Sequence, residues 1–137
     1  MPKVLISDKM SPLARECLEQ AGIEVDVITG LDKQGLADII GDYDGLAIRS
    51  ATKVTSKLLE AAKNLKVIGR AGIGVDNVDI PYASGKGVVV MNTPFGNSIT
   101  TAEHAIAMMF ALARQIPAAN VRTQAGEWPK NDFMGVE

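Results

Sequence analysis

"KVIGRAGIGVDNVD", residues 66–79, runs from an apolar stretch into three glycines, an arginine and two aspartates. Its opening reads as a strand over 66–71, and the rest as a glycine-rich loop of the kind that cradles phosphate. Which cradle it is decides the fold. A dinucleotide fingerprint needs G-x-G-x-x-G, then an acid about twenty residues on, at the end of the next strand. Gly72 and Gly74 fill the first two places, but Asn77 holds the third. The next apolar run, 88–93, carries Asn92 where the acid belongs, and the first strand–helix turn, after Asp8, has no glycine. Both tests fail. The loop reads instead as a backbone nest, with the amides of Ala71, Gly72 and Ile73 turned toward a small anion.

Working outward, apolar runs and amphipathic stretches alternate. Strands are expected at "KVLIS" (3–7), "EVDVIT" (24–29), "GLAIRS" (45–50), 66–71 and "VVVMNT" (88–93). Between them lie helical stretches. The first has Ser11 as N-cap, Pro12 at its first position and Gly22 as its stop, with Leu13, Cys17 and Leu18 on one face and Cys17 packed beneath it. A helix over 33–43 is weakened by Gly35 and Gly41, a stronger one spans 55–65, and a short one lies in 79–87. Strands this apolar are expected to be buried on both faces, and β–α alternation implies parallel crossovers. The fold class is α/β: a flavodoxin-like open parallel sheet of about five strands with flanking helices.

After Pro94 the texture changes. Residues 97–116 read as one long helix, opened by a capping box of Thr100 and Glu103. Its later half is apolar almost all round, so it must be covered by another layer or another subunit. A short helix follows, with Pro117 at its start and Gly126 at its end. We divide the chain into 1–96 and 97–137, the second piece being the start of a further domain cut short.

Fourteen Lys and Arg against sixteen Asp and Glu leave a net charge of −2, with no basic run to suit nucleic acid or a membrane surface. Cys17 is the only cysteine, which excludes an internal disulfide and suits a reducing cytosol. The N-terminus lacks the apolar core of a signal peptide, and the most apolar segment, 105–113, is too short for a bilayer. The expectation is a cytoplasmic protein.

Open parallel sheets place ligands beyond the carboxyl ends of their strands. Those ends present Ser7-Asp8, Arg49-Ser50, Arg70-Ala71-Gly72 and Asn92-Thr93. Two guanidinium forks at adjacent strand ends imply a small polyanion; the plain alternative pairs each arginine with an acid such as Asp44 or Asp76. A phospho-receiver module shares this architecture, but its acceptor aspartate would fall where Arg49 stands. His104, the only histidine, follows Glu103 in the long helix and reads as a packing or interface residue. The methionines Met91, Met108, Met109 and Met134 read as filler of a core or interface.

"RSATKVT" (49–55), "GRAGIGVDNVD" (69–79), "VVVMNTPFGNS" (88–98), "TAEHAIAMMFALARQIP" (101–117) and "FMGVE" (133–137) together resemble the D-isomer-specific 2-hydroxyacid dehydrogenases, and within them the phosphoglycerate branch. The resemblance implies an NAD-dependent oxidation of 3-phosphoglycerate to 3-phosphooxypyruvate in serine synthesis, on a small phosphorylated hydroxy acid. It implies that 1–96 is the substrate-binding domain and that the long helix begins a Rossmann domain. It places Arg49, Ser50, Arg70, Ala71, Gly72 and Asn97 against substrate and Ile73 beside the nicotinamide of NAD. The family's catalytic arginine, glutamate and histidine would lie beyond residue 137, so the chain alone is expected to be inactive and to associate with itself through 97–137. Two other readings stay open: a piece of a glyoxylate- or hydroxypyruvate-type relative, and a non-enzymatic, anion-binding, dimerising module.

Overall fold

The computed structural model describes residues 1–136; Glu137, the last residue of the 133–137 stretch, lies outside them. Five strands, β1 (Lys3–Ile6), β2 (Glu24–Val27), β3 (Gly45–Ile48), β4 (Val67–Arg70) and β5 (Val89–Asn92), form one sheet in the order 2-1-3-4-5. Every pairing is parallel, which is the flavodoxin-like order. Helices α1 (Pro12–Gln20), α2 (Lys33–Ile39), α3 (Ser56–Ala61) and α4 (Ile80–Gly85) connect the strands, and α5 (Ser98–Ala113) and α6 (Ile116–Gln124) follow. The chain divides into two compact units, Met1–Gly96 and Asn97–Glu137.

The register lines Leu5, Leu46, Ile68 and Val90 across one face of the sheet. Leu36 of α2, Leu58 and Leu59 of α3 and Ala83 of α4 pack onto that row and form the core. Each fully buried aliphatic side chain contributes about 1.5–3 kcal/mol relative to exposure. The opposite face is covered unevenly. Right-handed crossovers put α2, α3 and α4 on one side, whereas the β1–β2 connection runs the other way and sends α1 alone to the second side. Ile6 and Val25 are buried there, but Val89 and Met91 at the far edge are 57% and 55% exposed. The expectation that the apolar strands would be buried on both faces therefore fails at β5, for want of a covering helix within Met1–Gly96, and Met91 fills no core.

The helices of this unit are capped locally, by the expected Ser11 and by three further side chains. Ser11, Asp32, Thr55 and Asp79 accept hydrogen bonds from the amides of Leu13, Gly35, Leu58 and Tyr82. Gly22 stops α1 at φ +75°, where Ile23 N donates to Leu18 O and Gly22 N to Glu19 O. α3 is shorter than expected: it ends at Ala61 because Leu65 must turn back into the core, and Asn64 Nδ2 donates to Gly41 O on the way. Cys17 is exposed, and α1 has no buried residue, so the packing role expected for that thiol is wrong. The crossover sets α1 against the edge strand β2, where there is too little neighbouring surface to cover its face.

In the second unit α5 begins at Ser98, so Thr100 sits inside its first turn and the capping box does not form. The helix also stops at Ala113 instead of running to 116. Pro117 has no N–H to give Ala113 O, and its ring would strike that carbonyl. The chain breaks through Gln115 at φ +51°, and Ala113 O accepts from Val136 N instead, at 3.1 Å. Gly135, at φ +68°, lies against the same carbonyl, where a β-carbon would collide. Arg122 of α6 donates to Glu127 (2.6 Å) and Asp132 (2.7 Å) and tethers the turns that follow. No residue of α5 or α6 is buried, and His104, Met108, Met109 and Met134 are all exposed. No helix among the described residues is long and apolar enough to cross a membrane.

Candidate functional site

Two loops at the carboxyl edge carry the arginines, and two polar side chains hold those loops. Asp8 follows β1 and is buried. Its carboxylate accepts from Arg49 N (2.7 Å), Thr52 N (3.1 Å) and Thr52 Oγ1 (2.7 Å), which pins the start of the β3–α3 loop. Burial alone would push its pKa up. The hydrogen bonds from Thr52 and from the Arg49 amide outweigh burial and hold the carboxyl below its ordinary value. Ser7 Oγ completes the cluster at 2.9 Å from Thr52 Oγ1.

Asn77 does the corresponding work for both loops. Its Oδ1 accepts from Arg70 Nε at 2.9 Å, while Nδ2 donates to Arg49 O at 2.8 Å and Thr52 O at 2.7 Å. One amide therefore joins the two arginine segments. A bridge between Val54 and Val78, closed by Val54 N to Asn77 O and Asp79 N to Val54 O, sets its position. Neither role was read from the sequence. In the sequence Asn77 stands where a dinucleotide loop needs glycine and Asp8 at the end of a strand, and neither position displays the distant partners it holds.

Arg49 and Ser50 lie just past β3 and are exposed, with Arg49 Nη1 reaching Lys9 O at 3.3 Å. Arg70 ends β4 half-buried, in register with Ile48 and Asn92. Among the described residues neither guanidinium has a carboxylate within 4.0 Å. Asp44, one of the acids considered, is taken by Lys66 at 2.8 Å. Two unpaired guanidinium groups at adjacent strand ends suit carboxylate or phosphate recognition.

The nest is corrected. Ala71 N donates to Ile48 O and Gly72 N to Arg70 O, both at 2.9 Å, so these amides are spent on the turn. The turn is further fixed by Thr93 N to Gly72 O and Asn92 Nδ2 to Ile73 O. Gly72 serves differently: the Arg70 guanidinium lies against it, in space a β-carbon would fill. Ile73 is 39% exposed. With these amides used and Asn77 in the third glycine place, the loop does not fit a dinucleotide pyrophosphate. Asn97 belongs to the second unit, where it precedes α5 and makes no side-chain cap. No group of three or more His, Cys, Asp or Glu among the described residues could hold a metal.

This parallel sheet and its arginine-bearing loops fall in a known class. Residues 4–128 match the family described as D-isomer specific 2-hydroxyacid dehydrogenase, catalytic domain, and the chain belongs to that family. It is 50% identical over 137 residues, its whole length, to D-3-phosphoglycerate dehydrogenase from Synechocystis sp., of which it covers 24%. Among solved structures it resembles the PH0520 protein from Pyrococcus horikoshii OT3, with a TM-score of 0.86 and 31% identity over 100% of this chain and 42% of that one. It also resembles the NAD+-bound 3-phosphoglycerate dehydrogenase of Entamoeba histolytica, with a TM-score of 0.73 and 36% identity over 82% of this chain and 39% of that one. The chain thus spans roughly a quarter of the length of curated relatives such as the Synechocystis protein.

Proposed function

We propose that this chain is the N-terminal, substrate-binding portion of an NAD-dependent oxidoreductase that converts 3-phosphoglycerate to 3-phosphooxypyruvate in serine biosynthesis. The observation that carries the reading is the pair of unpaired arginines, Arg49 and Arg70, joined through Asn77 in a chain half identical to proteins of that name. In this reading Arg49, Ser50, Arg70 and Asn97 hold the anionic ends of the substrate. Ala71 and Gly72 shape the turn beneath Arg70, and Ile73 borders the nicotinamide. Bound NAD supplies the hydride acceptor; these residues bind and orient the acid, and orientation is a major source of rate. We place the protein in the cytoplasm, where a lone thiol such as Cys17 stays reduced.

The 137-residue chain alone turns over no substrate in this proposal. Detectable NAD reduction by the purified chain with 3-phosphoglycerate would overturn that part. The site itself is tested by titrating 3-phosphoglycerate into isotope-labelled chain. Shifts are expected at residues 49–52 and 70–77, with binding weakened about tenfold or more by Arg49→Ala, the loss of one charge-assisted contact. Shifts indifferent to that substitution would remove the site.

The same chain is proposed to form homo-oligomers through 97–137. Ile99, Met109, Phe110 and Leu112 are all exposed on α5, an apolar surface that favours association. A strict monomer at micromolar concentration by light scattering would refute it.

A further inference from the structure

A cavity of about 420 Å³ opens at the carboxyl edge between the starts of α2 and α3, sharing Ala51, Thr52, Lys53 and Thr55 with the loop that carries Arg49. Its place follows from topology. In the order 2-1-3-4-5 the chain leaves β1 in one direction and β3 in the other, so the sheet has a crevice at the carboxyl ends of these two strands. Open α/β sheets receive ligands at such reversals. The volume lies within the range of about 300–1,000 Å³ typical of small-molecule sites.

The lining divides by chemistry. Ser7 and Asp8 form a buried polar floor, and Leu31, Leu36 and Leu58 supply apolar wall. Lys33, Lys53 and Lys57 stand at the rim, all exposed, and none has a carboxylate within 4.0 Å among the described residues. The other acid present, Asp32, is engaged by Gly35 N at 2.8 Å. The Asp8 carboxylate already accepts from the Arg49 amide and from Thr52, itself a lining residue, so its charge is met by these donors. Neither Arg49 nor Arg70 lines this space. Apolar walls with a few convergent polar groups are the ordinary make-up of an organic-ligand pocket, and three free ammonium groups set the sign of its guest.

We propose that this cavity is a second small-molecule site, one that neither Arg49 nor Arg70 lines, for an organic anion: a carboxylate or phosphate monoester on an apolar body. The anionic group meets the lysines, and the body lies on Leu31, Leu36 and Leu58. The inference stands on the cavity and its lining and does not depend on the activity proposed above.

The test uses the isotope-labelled 137-residue chain and phenyl phosphate as probe, with inorganic phosphate in parallel. Saturable amide shifts are expected at Leu31, Lys33, Thr55 and Lys57. The double variant Lys33→Glu/Lys57→Glu, at exposed positions that leave the core intact, is expected to weaken binding about tenfold or more, whereas Arg49→Ala leaves it unchanged. Absence of saturable shifts at these residues overturns the site. So do shifts abolished by Arg49→Ala but kept in the double variant, which would assign the probe to the arginine loops. Equal affinity for inorganic phosphate overturns the claim that an apolar body is recognised.

Discussion

The two units of this chain are about equally apolar in sequence and opposite in what they do with it. Met1–Gly96 gathers Leu5, Leu46, Ile68 and Leu59 into a core from which solvent is excluded, whereas α5 leaves Phe110 and Leu112 in water, the latter 81% exposed. Periodicity explains the difference. A strand or helix with one apolar face finds one partner layer and is satisfied by it. A helix apolar all round needs partners on every side, and Asn97–Glu137 does not supply them. Apolar sequence therefore marks a core in the first unit and an exposed apolar surface in the second.

The largest effect that could break this contrast is a matched truncation. Leu59→Ala is expected to cost about 2–5 kcal/mol of stability, as a fully buried leucine replaced by a cavity. Leu112→Ala should stay within about 0.5 kcal/mol for the isolated chain while reducing its self-association, read by sedimentation. Equal losses in urea melts of the two variants would mean that α5 is packed after all.

A polar counterpart is next in size. Asp8→Ala leaves three donors in the first unit without an acceptor and should cost about 1–3 kcal/mol. Arg122→Ala removes exposed ion pairs in the second unit and should cost much less. The pH dependence has a definite sign. Asp8 is held below its ordinary value, so its contribution is complete above about pH 4 and is lost as pH falls through the depressed folded value. In Asp8→Ala that acid-side loss should flatten; an unchanged slope in chemical melts between pH 5 and 2 (roughly the carboxylate range) would deny Asp8 its role.

Smaller again in stability, but sharper for the site, is Asn77→Ala. It removes the one amide that ties Arg70 to the Arg49 loop, at a cost of about 1–2 kcal/mol in line with a few modest hydrogen bonds. Binding of 3-phosphoglycerate should fall with it although no charge is lost. Unaltered affinity would show that the arginines do not need the tie.

What could be read in advance follows the same division. Strand positions, helix caps and the glycine at residue 22 depend on neighbours a few residues away, and the sequence displays them directly. Ser11 caps α1 as its place before Pro12 requires. The arginines were legible because strand ends are. Asp8 and Asn77 were not, since their partners lie 41 and 28 residues away and only the sheet brings them together. The nest failed for a related reason: whether Ala71 N is free depends on Ile48 O, which belongs to another strand. The break after Ala113 was in principle visible, because a proline four residues on cannot continue the helix; reading Pro117 only as a start concealed it.

The smallest expected effect concerns the exception inside the first unit. Cys17 lies on a helix whose apolar residues looked like a packing face, yet α1 covers an edge of the sheet with no side chain buried. Cys17→Ser should change stability by no more than about 0.5 kcal/mol. The thiol should react with an alkylating reagent in the native state as fast as in urea. Protection of the thiol in the native chain, with full reactivity only after unfolding, would show that α1 is covered. The rule drawn from the two units would then have to be rewritten, because an edge helix would be finding a partner that the sheet does not provide.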